Sequence, residues 1–240
     1  MRTVPEIAPR DRLIFALDVP TPDAARALVD KLGDTVCFYK VGLELFTAGD
    51  GPRLVRDLKR AGKKVFVDLK LFDVPATVAR AVARLADLGA DFLTVHGNQA
   101  MMEAAAGAKG ASKVLAVTAL TSLDQGDLDD LGFQCDIPAL VASRARRALE
   151  AGLDGVVASG QEAAMLREEL GTRLMIVTPG IRPVLNRAED DQKRVLSPAQ
   201  AIAAGADYLV VGRPIRDAGD PRAAATAIIK EISEAVSHGK

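Results

Sequence analysis

The sequence predicts a (β/α)₈ barrel folded as one domain spanning residues 1–240. Three observations lead there. Eight short apolar runs recur along the 240 residues. Stretches rich in Ala, Arg, Glu and Leu, with helical spacing, lie between them. The helix ends repeat one junction before an apolar run: Leu88-Gly-Ala-Asp91, Ala151-Gly-Leu-Asp154 and Ala204-Gly-Ala-Asp207. The mean repeat of roughly 28 residues suits a strand plus its crossover helix, and the length is close to the ~250 residues usual for such barrels.

The elements follow in order. Residues 1–11 form an N-terminal extension, and residues 13–17 are the first strand. A helix over 24–32 leads to a strand over 36–41, and a helix over 52–61 to a strand over 65–69. A helix over 74–88 precedes the strand at 92–95, and 114–119 is the fifth strand. Residues 125–138 are polar and helix-poor, which predicts a long loop. A helix over 139–151, a strand over 155–158, a helix over 162–170 and a strand over 174–177 continue the pattern. The charged stretch 183–192 predicts a second, mobile loop that closes as a lid, before a strand at 208–211 and a last helix at 223–236. The apolar runs lack clean alternation, as parallel strands covered on both faces do. A doubly wound open sheet is disfavoured because no GxGxxG follows the first strand.

Composition excludes several function classes. Hydrophobic residues make up 49% and charged residues 26%, an ordinary globular balance rather than a disordered one. The net charge of −1 gives no general grip on nucleic acid, and the lack of Trp gives few base-stacking platforms. No run approaches the ~20 apolar residues of a membrane span. Cys37 and Cys135 belong to no CxxC pair, so no disulfide framework or zinc site is expected, and a cytoplasmic location is.

In a barrel of this kind the chemistry gathers at the C-terminal strand ends. Those ends carry Asp18, Lys40, Asp68 and Lys70, with Asp73 just beyond. They continue with His96 and Asn98, Thr121 and Ser122, Ser159, Thr178 and Arg182, and Gly212 and Arg213. Residues two apart on a strand share a face, so Asp68 and Lys70 point together beside Lys40 on the neighbouring strand. The result is an array of alternating charge, Lys40, Asp68, Lys70 and Asp73. A structural ion-pair network is the alternative, but desolvation leaves such networks little net gain. The loops Thr178-Pro-Gly-Ile-Arg182 and Val211-Gly-Arg213 follow strands seven and eight, where barrels often bind phosphate. An ordinary turn with a surface arginine is the alternative there.

Taken together, several segments resemble orotidine 5′-phosphate decarboxylase of the bacterial type. They are Ala16-Leu-Asp-Val19, Tyr39-Lys-Val-Gly42, Asp68-Leu-Lys-Leu-Phe-Asp-Val-Pro75, Val117-Thr-Ala-Leu-Thr-Ser122, Thr178-Pro-Gly-Ile-Arg182, Asp190-Asp-Gln-Lys193 and Val211-Gly-Arg213. Magnesium-dependent sugar-phosphate decarboxylases and aldolases of the same suite share the D-x-K-x-x-D pattern. They carry an acidic metal ligand where this chain has Lys40. The family commonly has Asn after the Val-Pro, and here the residue is Ala76.

The resemblance implies conversion of orotidine 5′-phosphate to UMP and CO₂, the last step of de novo pyrimidine nucleotide synthesis, without metal or other cofactor. It assigns Lys70 as proton donor, with Asp68, Asp73 and Lys40 as the other catalytic charges. Asp18 and Lys40 contact ribose, and Thr121 and Ser122 the pyrimidine. Arg182, Gln192, Gly212 and Arg213 hold the phosphate. It also implies a homodimer in which the segment from Asp73 to Thr77 reaches the partner's site, with no nucleic acid or membrane partner. His96 is expected to be structural. A non-catalytic barrel binding a phosphate ligand is the alternative of a different class.

Overall fold

Eight parallel strands close on themselves in the computed structural model, which describes residues 6–183 and 195–238. They are β1 (Leu13–Ala16), β2 (Phe38–Gly42), β3 (Lys64–Leu71), β4 (Phe92–His96), β5 (Lys113–Val117), β6 (Gly155–Val157), β7 (Met175–Thr178) and β8 (Tyr208–Val211). Each pairs with the next and β8 returns to β1, so the sheet has no open edge. The helices are α1 (Pro22–Leu32), α2 (Leu43–Thr47), α3 (Gly51–Arg60), α4 (Pro75–Asp87), α5 (Gln99–Ala108) and α6 (Gln125–Asp130). They continue as α7 (Ile137–Glu150), α8 (Gly160–Leu170), α9 (Pro198–Ala203), α10 (Arg213–Arg216) and α11 (Pro221–His238).

The Gly-x-Asp junctions do more than end helices. Gly89, Gly152 and Gly205 have φ of +86°, +78° and +99°, the left-handed turn that glycine enters without strain. The aspartate two residues on then ties the sheet's lower rim. Asp91 accepts from Val65 N at 2.7 Å and from Lys59 Nζ at 2.6 Å. Asp154 accepts from Val114 N at 3.0 Å and Lys109 Nζ at 2.5 Å, and Asp207 from Ile176 N at 2.8 Å and an Arg167 nitrogen at 2.7 Å. Each carboxylate thus takes up the amide of the preceding strand and a cation from the helix layer.

Two apolar layers result. Most of the core lies between strands and helices, including Phe15, Tyr39, Val67, Leu93 and Val211. A smaller cluster fills the barrel's interior: Phe38, Phe66, Phe92, Tyr208 and their neighbours. Phe92 meets Phe38 and Tyr208 edge-to-face at 4.9 and 5.1 Å, a preferred aromatic geometry. Truncating one such ring typically costs about 3–5 kcal/mol. Burial, reinforced by nearby carboxylates, pushes the Tyr208 hydroxyl up to about 12. Buried Ile7 of the N-terminal extension joins this plug, and a 3₁₀ turn, Pro9–Arg12, carries the chain into β1. Bulk therefore closes the bottom, while smaller residues toward the top, Ala16, Val117, Val157 and Val210, line an open space.

One expectation is corrected. The stretch predicted as a helix-poor loop contains α6. Its residues are polar, but Asp124 and Asp127 form a reciprocal capping box and Leu128 is buried beneath them. A cap that satisfies end amides and one buried leucine outweigh weak intrinsic propensity.

Candidate active site

The open top of the barrel is a cavity of about 460 Å³. Asp18, Lys40, Asp68, Lys70, Thr121, Arg182, Gly212 and Arg213, all expected from the sequence, line it together with Gly180 and Arg216. Their placement follows from the strands. Along β3, Val65, Val67, Leu69 and Leu71 pack toward the helices, whereas Phe66, Asp68 and Lys70 face the interior. The two-residue alternation expected of a strand holds to its end.

Within the cavity the charges interlock. Lys70 Nζ lies 2.9 Å from Asp68 Oδ2, and Lys40 Nζ lies 4.0 Å from the same oxygen and 2.8 Å from Asp18 Oδ1. Asp68 is 9% exposed, so its charge is largely removed from water and relies on these cations. Gly42 makes room for this network, because a Cβ there would stand 3.0 Å from Lys40 Nζ.

β3 carries an irregularity at this point. Val67 pairs with Leu93 but Leu71 with Val95, four steps on β3 against two on β4. The bulge raises the end of β3 into the mouth. Lys70 sits on it at φ +49°, the single non-glycine residue with positive φ among the described residues. For an L-residue this costs roughly 1–3 kcal/mol and persists where surrounding contacts enforce it.

Where β8 ends beside β1, Gly212 begins α10, and Arg213 and Arg182 line the same cavity. Arg216 donates to the Asp18 carbonyl at 2.7 Å and forks onto the Asp217 carboxylate at 2.6 and 2.9 Å. Sequence reasoning missed Arg216. Its signal was its place one helical turn after Arg213. The bond to the Asp18 carbonyl ties the chain after β8 to the end of β1, and the fork onto Asp217 holds the guanidinium in place for it.

The structure does not bring every expected residue into the cavity. Asp73 is exposed and accepts from the following Val74 amide at 2.6 Å. Thr77 accepts from Arg80 at 3.3 Å at the start of α4, and Ser122 is exposed beyond Thr121. None of the three lines the cavity of its own chain. Gln192 and the expected lid lie outside the described residues. Ser159 caps α8, and buried Thr178 ends β7. His96 packs edge-on against Phe72 at 5.1 Å. Burial first, then the Arg144 and Lys70 charges, hold its imidazole below the usual range. Among the described residues, no group of three His, Cys, Asp or Glu stands close enough to hold a metal ion.

Among the described residues, five cationic side chains and two carboxylates line the cavity, a net of three positive charges. Two of the cations, Lys40 and Lys70, stand at Asp68, and three arginines line the rest of the cavity, a lining suited to an anionic ligand.

Comparison with known proteins identifies the family. Residues 11–228 match the model of the orotidine 5′-phosphate decarboxylase / HUMPS family. The chain is 63% identical over 229 residues to orotidine 5′-phosphate decarboxylase of Methylococcus capsulatus, covering 95% of each protein. It is 57% identical to that of Rhodopseudomonas palustris over 95% of this chain and 97% of the relative. The crystal structure of the enzyme from Lactobacillus acidophilus superposes with a TM-score of 0.82 at 37% identity, covering 92% of this chain and 98% of that one.

Proposed function

The chain belongs to the orotidine 5′-phosphate decarboxylase / HUMPS family, and we propose that it decarboxylates orotidine 5′-phosphate to UMP and CO₂. The carrying observation is the Lys40–Asp68–Lys70 array sharing one cavity with Gly212 and Arg213. The substrate has one carboxylate and a phosphate bearing about −2 at neutral pH, a total that balances the lining.

The chemistry follows from where those charges stand. The bond from C6 to the carboxylate breaks, its electron pair remains on C6, and CO₂ leaves. The ring offers that pair no delocalised sink, so the site must stabilise it electrostatically. Preorganised charge aimed at the developing anion is the largest single contribution most enzymes make. The Lys70 ammonium supplies it and then gives a proton to C6, leaving UMP and a neutral amine that solvent reprotonates. Asp68, held beside the departing carboxylate, disfavours the bound ground state. Arg213, Arg182 and the Gly212 amide grip the unreacting phosphate, whose binding energy orients the ring. Thr121 contacts the pyrimidine, and Asp18 and Lys40 the ribose.

Lys40 also separates this reading from the magnesium-dependent one. Its ammonium occupies the space between Asp18 and Asp68 that a divalent cation would need in order to use both carboxylates. The test is direct. Orotidine 5′-phosphate mixed with protein in excess EDTA should be consumed, with UMP and CO₂ formed in equal amounts. Turnover of a sugar phosphate in magnesium, with none of the nucleotide, would overturn the proposal.

The active form is a homodimer with composite sites. Phe72 and Val74 are 64% and 63% exposed on either side of exposed Asp73, and exposed Leu43 follows β2 at the same end of the barrel. An apolar strip of this kind around a carboxylate suits a surface covered by a second copy. Asp73 and Thr77 would then complete the partner's cavity, with Ser122 reaching the pyrimidine as the site closes. No helix among the described residues is long and apolar enough to cross a membrane. Neither cysteine is in a disulfide, in keeping with a cytoplasmic enzyme.

A further inference from the structure

We propose that Thr94 is a positioning residue that sets the proton donor's geometry, an inference that rests on Lys70 having that role. Thr94 lies in β4 and is 1% exposed. Its hydroxyl accepts from the Lys70 backbone amide at 3.0 Å and donates to Asp68 Oδ1 at 2.9 Å. The other oxygen of Asp68 takes Lys70 Nζ at 2.9 Å. The contacts form a closed ring: Lys70 amide, Thr94 hydroxyl, Asp68 carboxylate, Lys70 ammonium. Both ends of Lys70, backbone and side chain, are thereby referred to one carboxylate.

The bulge makes this ring necessary. The shift between Val67 and Leu71 takes the Lys70 amide out of the regular strand ladder. A part-buried N–H without an acceptor is costly, and φ +49° is a conformation that lysine does not choose by itself. The Thr94 hydroxyl supplies the acceptor and so favours that conformation. A hydroxyl has one proton to give. Here it goes to Asp68 Oδ1, which turns Oδ2 toward Lys70 and Lys40. Serine could make both bonds. Valine, equal in shape, could make neither, and would leave the carboxylate oxygen and the lysine amide facing a methyl group.

The test compares wild type with Thr94→Val, Thr94→Ala and Thr94→Ser in steady-state decarboxylation, with melting temperature and UMP affinity measured alongside. Misplacing a catalytic group by about 1 Å can cost on the order of 10²-fold. Thr94→Val and Thr94→Ala should therefore lose about 10- to 100-fold in kcat, with KM and UMP affinity changed less than about threefold. Thr94→Ser should recover most of the lost kcat. If valine does not fold, alanine and serine give the same contrast without a methyl group against the carboxylate. A kcat within threefold of wild type in the variants lacking the hydroxyl would overturn the inference. So would an equal loss in serine, or a loss confined to KM. A wild type that does not decarboxylate the nucleotide would instead overturn the reading on which the inference rests.

Discussion

Lys70→Ala is expected to lower kcat by at least about 10⁴-fold. A positioned proton donor is worth about 10²–10⁴-fold, and one preorganised charge on a developing anion about 10²–10³-fold. Lys70 serves as both, so its loss combines the two. The fold should persist, because the Lys70 side chain is 38% exposed at the rim of the barrel. Asp68 keeps its Thr94 bond and the more distant Lys40. UMP has no carboxylate at C6 and is gripped mainly at its phosphate, so its affinity should change little. Stopped assays at high enzyme concentration, UMP calorimetry and thermal melting together check this. A variant that keeps a tenth of wild-type kcat would remove Lys70 from its role.

Mixing two inactive variants should restore activity. Asp73 does not reach the cavity of its own chain, so the composite-site proposal gives it to the partner's Lys70. Asp73→Ala should be nearly inactive, because Lys70 would lose its second carboxylate. In a heterodimer of Lys70→Ala and Asp73→Ala, one site carries both defects and the other neither. Equal mixing with full subunit exchange should therefore return about a quarter of wild-type activity, as expected for a two-fold symmetric dimer. Exchange is followed with differently tagged chains. No recovery after proven exchange would place Asp73 in its own chain's site.

Much of this site was legible in the sequence because a barrel makes position informative. Parallel strands appear as apolar runs, and Asp68 and Lys70 stand out within one because charge there needs a reason. Their common face followed from alternation, which the structure keeps. The bulge did not show, since nothing in Val67-Asp-Leu-Lys-Leu71 marks two additional residues relative to β4. Thr94 was hidden for a related reason. A threonine among Phe92, Leu93 and Val95 resembles ordinary strand filling, and its place beside Asp68 depends on register. Arg216 needed the tertiary return of α10 over β1, and α6 needed its capping pair weighed above its polarity. Asp73 stood out as a charge just beyond the array, and the structure places it exposed and outside its own chain's cavity.

The most direct measurement is the distance from Lys70 Nζ to the pyrimidine C6 in a crystal structure of the protein with UMP. Both atoms must approach to roughly 3–3.5 Å for proton transfer. The account predicts that spacing, with the phosphate on Arg213 and the Gly212 amide and the ring over Lys70. A UMP seated with its phosphate toward Lys40 and Lys70, or with C6 well beyond hydrogen-bond reach of Lys70, would contradict it.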